Sequence, residues 1–157
     1  MSYKVNPIPE GYSSLTFYIT VRNGSEAMDF YKKAFGAQEI GRLTMGDTIA
    51  HAELQIGSAR MMLADEMPDW GNLSPQSLNG SPVGLCIYTE DVDVMYNQAI
   101  AAGATALPGM EVKDQFYGDR SGTLLDPYGH KWTIATHIED VDFEEMQKRM
   151  LAMYQAQ

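Results

Sequence analysis

Ala27-Met-Asp-Phe-Tyr-Lys-Lys-Ala-Phe-Gly-Ala37 is followed, sixty-seven residues further on, by the related stretch Val94-Met-Tyr-Asn-Gln-Ala-Ile-Ala-Ala-Gly-Ala104. Each stretch carries apolar residues at helical spacing and ends in Gly-Ala. A second pair of similar segments, 51–63 and 123–135, follows in the two halves of the chain. A repeat of this length predicts two similar structural units that enclose one cleft.

The two halves have the same predicted order of elements. Residues 14–21 are rich in β-branched and aromatic side chains, which indicates a strand, and the next segment forms a helix that Asn23 can cap and Gly36 ends. The same strand-helix order recurs over residues 83–104. Three further strands are predicted after each helix, at 38–45, 50–56 and 59–64, and at 105–112, 121–126 and 131–137.

The chain is predicted to form a single domain over residues 1–157, because halves of roughly 60 residues bury too little surface alone. Its parts are a first βαβββ module, a linker rich in Pro, Gly, Ser and Asn, a second βαβββ module and a C-terminal helix, at residues 12–66, 67–82, 83–140 and 142–155. We expect the apolar side of that helix to dock on its own domain or on a second subunit; it comprises Phe143, Met146, Met150, Met153 and Tyr154.

Composition narrows the classes of function. The net charge of −10 disfavours binding to nucleic acid and to anionic membranes, and it mildly favours neutral or cationic ligands. No apolar run approaches the ~18 residues that span a bilayer, and the N-terminus lacks the apolar stretch of a secretory signal. A single cysteine, Cys86, excludes an internal disulfide framework. We therefore expect a cytoplasmic protein.

Several motifs resemble the vicinal oxygen chelate superfamily, which includes glyoxalase I, extradiol dioxygenases, fosfomycin resistance enzymes and bleomycin resistance proteins. The motifs are Phe30-Tyr31, Phe35-Gly36-Ala37, His51-Ala-Glu-Leu, Asp114-Gln-Phe-Tyr-Gly-Asp-Arg120, Asp126-Pro-Tyr-Gly-His130 and Trp132-Thr-Ile-Ala-Thr-His137. Together they are most similar to the PhnB-like branch. The resemblance implies the α+β class, with two βαβββ modules forming a curved mixed sheet around a cleft, and it implies a homodimer.

The resemblance also indicates where a metal would be held. Metal-using members of the superfamily bind a divalent ion through His or Glu on the first and last strands of each module. Counting from the turn glycines and from Asp91, these positions are Thr16 or Phe17, Met61, Gly84 and Thr133. None is a histidine or an acid, so we predict that the superfamily's usual metal site is absent and that the protein has no metal cofactor.

Alternation along segment 50–56 shows what else the cleft contains. If Ala50, Ala52, Leu54 and Ile56 face the helices, His51, Glu53 and Gln55 face the cleft. By the same parity, Asp65 shares a face with Met61, His137 shares one with Thr133, and Tyr88 and Cys86 share one with Gly84. His51, Glu53 and His137 could form a displaced metal site. Alternatively, Glu53 orients a neutral His51, or both are solvated.

Three other candidate residues each have two interpretations. Trp70 either packs under the linker or covers the cleft and stacks on a flat ligand. Tyr117 and Arg120 either belong to a structured loop or form the mouth of the cleft, where Arg120 would bind a carboxylate or phosphate. A structural role is expected for His130. Cys86 is expected to be a buried, protonated and inert thiol.

The leading functional hypothesis is a homodimer that binds a small organic ligand without a metal, as bleomycin resistance proteins sequester a drug. The predicted ligand-binding residues are His51, Glu53, Trp70, Tyr88, Tyr117, Arg120 and His137. The rival hypothesis is a lyase, isomerase or dioxygenase with a relocated metal, or a metal-free acid-base catalyst using His51 and Glu53. A third hypothesis is a scaffold whose cleft is filled by its own side chains.

Overall fold

Each half of the chain forms one β-sheet with one long helix packed on it. The computed structural model describes residues 5–156. Contacts divide the chain into two compact units between Ser81 and Pro82, called here the N-terminal and C-terminal units. This boundary lies within the predicted linker, at residues 67–82.

The N-terminal unit has a four-stranded mixed sheet in the order β1-β4-β3-β2. Strand β1 is parallel to β4, and the other neighbours are antiparallel. The elements are β1 (Phe17–Val21), α1 (Gly24–Phe35), β2 (Gln38–Met45), β3 (Thr48–Ile56), β4 (Ala59–Asp65), a 3₁₀ turn (Pro68–Trp70) and the short helix α2 (Pro75–Leu78).

Helix α1 begins and ends where the sequence indicates. The Asn23 side chain accepts a hydrogen bond from the backbone of Glu26, and Gly36 ends the helix with φ of 66°. Its apolar side is buried against the sheet and comprises Ala27, Met28, Phe30, Tyr31, Ala34 and Phe35. The sheet contributes the other half of this core, including Val21, Ile49, Ala52, Leu54 and Leu63.

One residue of β3 departs from the predicted alternation. Ala52, Leu54 and Ile56 are buried as expected, but Ile49 is buried in place of Ala50. The register against β2 shifts between Leu43 and Thr44, which is a β-bulge. A bulge adds one residue to a strand and reverses the pleat beyond it, so the prediction for Ala50 was wrong.

The C-terminal unit repeats the architecture with a five-stranded sheet in the order β5-β9-β8-β6, and β7 also pairs with β8. Its elements are β5 (Gly84–Tyr88), α3 (Val92–Ala102), β6 (Thr105–Ala106), β7 (Lys113–Asp114), β8 (Asp119–Leu125), β9 (Lys131–His137) and α4 (Phe143–Gln155). The predicted strand at 105–112 was wrong beyond Ala106. Gly109 has φ of 79° and Met110 donates to the Leu107 carbonyl, so the chain turns there.

The linker segment is fastened to its own unit rather than free. The Glu66 carboxylate accepts hydrogen bonds from the backbone of Ser74 and the hydroxyl of Ser77, and it pairs with Arg22. These contacts hold the pKa of Glu66 at about 2, with the Ser77 hydroxyl as the largest cause. Residues 66–77 are therefore anchored to the end of β1.

Helix α4 is capped by Asp142 and held mainly by polar contacts. Arg149 pairs with Glu139 and Glu145 and donates to the carbonyl of Phe116. No side chain of α4 is fully buried. Met150, Met153 and Tyr154 line a cavity of about 210 Å³ with Phe116. Most of the predicted apolar side of this helix is thus left uncovered within the chain.

The α+β class, the two modules and the C-terminal helix are confirmed, and the C-terminal unit adds one short strand, β7, to the expected β-α-β-β-β order. The single-domain organisation and the cleft stay predictions. Within residues 5–156, no helix is both long and apolar enough to span a bilayer.

Candidate functional site

Each sheet has one face covered by its helix and a second face, termed the open face, that carries polar side chains. The strand registers place Tyr18, His51, Glu53, Gln55, Arg60 and Met62 on the open face of the N-terminal sheet. They place Cys86, Tyr88, Asp119, Ser121, Thr123, Thr133 and His137 on the open face of the C-terminal sheet.

On the N-terminal sheet, His51 bridges a tyrosine and a carboxylate. The Tyr18 hydroxyl lies 3.0 Å from His51 Nδ1, and the two rings are 5.5 Å apart. His51 Nε2 lies 3.4 Å from Glu53 Oε1. This arrangement, termed the Tyr18–His51–Glu53 relay, brings together the two predicted candidates His51 and Glu53. It adds Tyr18, which the sequence argument missed because Tyr18 lies on a different strand, thirty-three residues away.

The Glu53 carboxylate is held in its anionic form. Its interaction with the Tyr12 hydroxyl, and next with His51, holds the pKa of Glu53 below its ordinary value. The Arg60 guanidinium lies over the Tyr12 ring, 5.2 Å from its centroid, and lowers the pKa of Glu53 further. An anionic Glu53 is an acceptor only, which fixes the hydrogen-bonding direction of the relay.

On the C-terminal sheet, a buried carboxylate organises two exposed side chains. Asp119 is 5% exposed, accepts a 2.6 Å hydrogen bond from the Tyr88 hydroxyl and pairs with His137 Nδ1 at 2.8 Å. His137 Nε2 also lies 3.0 Å from Asp140 Oδ1. We call these four residues the Asp119 network. Tyr88 and His137 were predicted as site residues, but Asp119 was not. The alternation of side chains along β8, the strand that pairs with His137, could have indicated Asp119.

The electrostatics of the Asp119 network follow from its hydrogen bonds. The bond to Asp119 is the largest cause that raises the pKa of Tyr88 to about 12, so the hydroxyl keeps its proton. Asp140 first, and Asp119 next, raise the pKa of His137 above its ordinary value of 6.5. Tyr117 lies beside the network, and its hydroxyl is 3.1 Å from the Ser121 hydroxyl. The network therefore joins an acceptor carboxylate to an imidazole that favours its cationic form.

The pairing of His137 gives a pH prediction. Because its pKa is raised in the folded protein, the stabilisation is fully present below about pH 6.5 and is lost as the pH rises through the folded-state value. We expect an NMR titration of His137 to have a midpoint above 6.5, and Asp140→Asn to lower that midpoint. Asp114→Asn is the matched control and should leave it unchanged. A wild-type midpoint at or below 6.5 would contradict the assignment.

Arg120 and Trp70 do not join these groups. Arg120 lies between Asp119 and Ser121 in β8 and therefore points to the helix side, where it pairs with Asp93 and Asp114. Its guanidinium is thus committed to neighbouring carboxylates, as the structured-loop interpretation expected. Trp70 is 74% exposed, so the interpretation that it packs under the linker was wrong. Its role as a cover for a ligand stays a prediction.

In the N-terminal unit, counting from the turn glycine assigned the last-strand ligand position to Met61, which lies on the wrong face of the sheet. Met61 is 5% exposed and packs on the helix side, next to Phe17 in the register. The β3–β4 turn has two residues between the paired Ile56 and Ala59, whereas the β8–β9 turn has five residues between the paired Leu125 and Lys131. Because these turn lengths differ by an odd number of residues, the same count from the turn glycine reaches opposite faces of the two sheets.

The last-strand position on the open face of the N-terminal sheet is therefore Met62, which pairs with Tyr18. The corresponding pair in the C-terminal unit is Thr133 and Cys86. Neither pair includes a carboxylate or an imidazole, so neither supplies the donors that hold the divalent ion of the metal-using members. Across the described residues 5–156, no three His, Cys, Asp or Glu side chains are grouped as metal ligands.

Three other expectations are corrected or refined. Asp65 faces the helix side, where its carboxylate accepts hydrogen bonds from the backbones of Gly24 and Ile49. Cys86 is exposed rather than buried. Partial desolvation by neighbouring atoms, and next the charge of Asp119, raises the pKa of its thiol. His130 has a buried side chain, and its backbone donates to Asp126, which fits a structural role.

Comparisons with known proteins agree with this architecture. The family model of the Glyoxalase/Bleomycin resistance protein/Dioxygenase superfamily matches residues 13–134. An uncharacterised protein of Mycobacterium tuberculosis is 37% identical over 141 residues, which are 87% of this chain and 82% of that protein.

Two solved structures are similar in fold. A gene product of Arabidopsis thaliana has a TM-score of 0.63 and 26% identity, covering 79% of this chain and 98% of its own. A Bacillus cereus PhnB protein, described as a putative 3-demethylubiquinone-9 3-methyltransferase, has a TM-score of 0.60 and 18% identity, covering 79% and 99%. The second likeness concerns the fold alone.

Proposed function

Because the chain belongs to the Glyoxalase/Bleomycin resistance protein/Dioxygenase superfamily, we propose that it binds a small organic ligand at the Asp119 network without the metal of the metal-using members. The superfamily expected from the motifs is confirmed, and a PhnB protein is among the structural neighbours. The observation that carries the proposal is the buried Asp119 carboxylate bonded to two exposed side chains, Tyr88 and His137.

The hydrogen-bonding directions favour a ligand that donates. The Tyr88 hydroxyl gives its hydrogen to Asp119, so only its oxygen lone pairs remain for a ligand. Both ring nitrogens of His137 are already paired with carboxylates. The rings of Tyr88 and Tyr117 add aromatic surfaces that attract cations. A ligand with N–H groups, or with a positive charge, is therefore favoured, in agreement with the net charge of −10. Sequestration of such a compound in the cytoplasm is our leading hypothesis.

Ligand binding predicts a specific mutational pattern. In a thermal-shift screen of aromatic and cationic amines, a compound at a hundredfold excess over its Kd should add about 2.7 kcal/mol to the free energy of unfolding. Its affinity should fall at least about tenfold in Tyr88→Phe, which removes the accepting hydroxyl oxygen, and in Asp119→Asn, which removes the negative charge behind that hydroxyl.

Tyr154→Phe is the matched control, because Tyr154 is an exposed tyrosine of α4. The proposal fails if no amine stabilises the protein, or if the three variants bind a stabilising amine equally well.

The metal-free part of the proposal has its own test. Elemental analysis of protein purified without a histidine tag should find no stoichiometric zinc, nickel, manganese or iron. A metal that is present in wild type and disappears in His51→Ala would instead support the relocated site. The proposed homodimer, motivated by the uncovered apolar side of α4, is tested by molar mass in solution against the 17.5 kDa of one chain.

A second candidate function is metal-free acid-base catalysis by His51 and Glu53. The observation that favours it is the Tyr18–His51–Glu53 relay, since an imidazole oriented by a carboxylate is a common form of general base. Turnover that disappears in both His51→Gln and Glu53→Gln would support this alternative. Turnover that persists in both variants would rule out acid-base catalysis by these residues.

A further inference from the structure

The Tyr18–His51–Glu53 relay has an exposed end and a more protected end. Tyr18 is 53% exposed, whereas the side chains of His51 and Glu53 are 29% and 28% exposed. Tyr18 is therefore the member of the relay that is most accessible to a molecule on this open face. We propose that Tyr18 is a proton-transferring catalytic residue for a substrate with a weakly acidic C–H bond. The inference rests on the second candidate function and names the group that contacts the substrate.

The direction of the relay follows from hydrogen-bonding rules. A neutral imidazole has one donor nitrogen and one acceptor nitrogen. His51 Nε2 faces the anionic Glu53 carboxylate, which only accepts, so Nε2 carries the hydrogen. His51 Nδ1 is then the acceptor, and the Tyr18 hydroxyl donates to it. The oxygen lone pairs of Tyr18 that remain are available to a substrate.

The relay also explains how a tyrosine could act at neutral pH. Partial desolvation by its neighbours raises the pKa of Tyr18 above its ordinary value of 10.0, so the hydroxyl does not ionise by itself. An acceptor at 3.0 Å removes the need for a free phenolate, because the hydroxyl proton moves to His51 as a new proton arrives. Glu53 then lies beside the imidazolium that forms and stabilises its charge.

The proton-transfer step balances without any co-reactant. The substrate C–H bond breaks, its electron pair stays on carbon, and its proton bonds to Tyr18 Oη. The original hydroxyl proton of Tyr18 bonds to His51 Nδ1. The products are a substrate carbanion, a neutral tyrosine and an imidazolium paired with Glu53. Return of the proton to another carbon gives an isomerisation, and departure of a leaving group gives an elimination.

Neighbouring side chains favour a substrate with an apolar part. Met62 pairs with Tyr18 in the register between β1 and β4, and Leu43 pairs with His51 between β2 and β3. Leu43 is an exposed leucine. These side chains flank the relay with apolar surface, which would hold a small aromatic or aliphatic carbon acid over the Tyr18 hydroxyl.

The experiment uses a nitrobenzisoxazole, whose ring opens to a coloured phenolate when a base removes its C–H proton. Wild-type protein should accelerate the reaction over buffer. Tyr18→Phe should lower kcat/KM by about tenfold or more, and His51→Gln should do the same, since acid-base groups typically contribute factors of at least about a hundred. The double variant should lose little more than either single variant, because the residues act as one unit.

A matched control separates the relay from general effects of substitution. Tyr154→Phe removes the hydroxyl of an exposed tyrosine on α4, outside the relay, and should retain the wild-type rate. Circular dichroism and the Tm should show that Tyr18→Phe folds normally, as expected for a half-exposed ring.

The outcomes are distinguishable. A rate that falls in His51→Gln but not in Tyr18→Phe overturns the role of Tyr18 and leaves acid-base catalysis by His51. A wild-type rate equal to that of buffer, or one unchanged in both variants, overturns the inference and the second candidate function together. Nitrogen NMR gives an independent readout: neutral His51 should carry its hydrogen on Nε2, and a hydrogen on Nδ1 would contradict the relay. Amine binding at the Asp119 network is a separate result.

Discussion

Asp126→Ala is expected to lower the free energy of unfolding by about 3 to 5 kcal/mol, because it leaves three buried donors without their acceptor. Asp126 is 3% exposed. One carboxylate oxygen accepts from the backbones of Tyr128 and His130, both at 2.9 Å, and the other accepts from Trp132 Nε1 at 2.8 Å. The carboxylate thus closes the five-residue turn between β8 and β9 and fixes the indole that follows it.

Urea unfolding followed by tryptophan fluorescence measures this loss. Asp126→Asn should have an intermediate effect, since its amide keeps one acceptor oxygen but presents an N–H group to another donor. Asp114→Ala is the matched control: that carboxylate is exposed and pairs with Arg120, so its removal should cost less than about 1 kcal/mol. Equal losses for Asp126→Ala and Asp114→Ala would show that the turn does not depend on the buried carboxylate.

Gly118→Ala is expected to cost about 3 kcal/mol or more, through backbone strain together with a steric clash. Gly118 has φ of 96°, a region that favours glycine, and a Cβ there would collide with the carbonyl oxygen of Glu139. The Gly118 carbonyl also accepts hydrogen bonds from the backbones of Ile138 and Glu139. The collision would therefore push apart the two segments that carry Asp119 and His137.

Gly109→Ala separates backbone strain from steric clash as causes of the destabilisation. Gly109 has φ of 79°, but a Cβ there meets no atom within 4 Å, so only the strain of about 1 kcal/mol remains. Gly118→Ala should also weaken amine binding at the Asp119 network, whereas Gly109→Ala should preserve it. If both glycine variants have the same stability and affinity, close packing at Gly118 is not what positions the network.

Elements with strong local signals were predicted well. Helix α1 begins after Asn23 and ends at Gly36, and β9 spans Lys131–His137 as expected from its alternation. Strand 105–112 failed because Pro108-Gly109 forms a turn inside an otherwise strand-like segment. Local propensity therefore located the elements, but it did not detect an interruption within one of them.

The candidate sites were only partly predictable, since hydrogen-bond partners come from strands that are distant in sequence. Alternation placed His51 and Glu53 on the same face, and it placed Tyr88 on the open face with Cys86. It did not indicate that Tyr18 approaches His51 or that Asp119 joins Tyr88 to His137. Nor did it show that Arg120 is committed to Asp93 and Asp114.

The sequence by itself determined the repeat, the order of elements and the superfamily, because apolar periodicity, caps and turn residues act over short distances. The tertiary structure decided which side chains share a face. A β-bulge adds Ala50 to β3, opposite Leu43 and Thr44, and the turn after β8 is three residues longer than the turn after β3; each of these odd numbers changes the face that a given residue occupies. Since a strand alternates with a period of two, turns that differ by an odd number of residues put the same count from the glycine on opposite faces, so Met61 lies on the helix side and Met62 lies beside Tyr18.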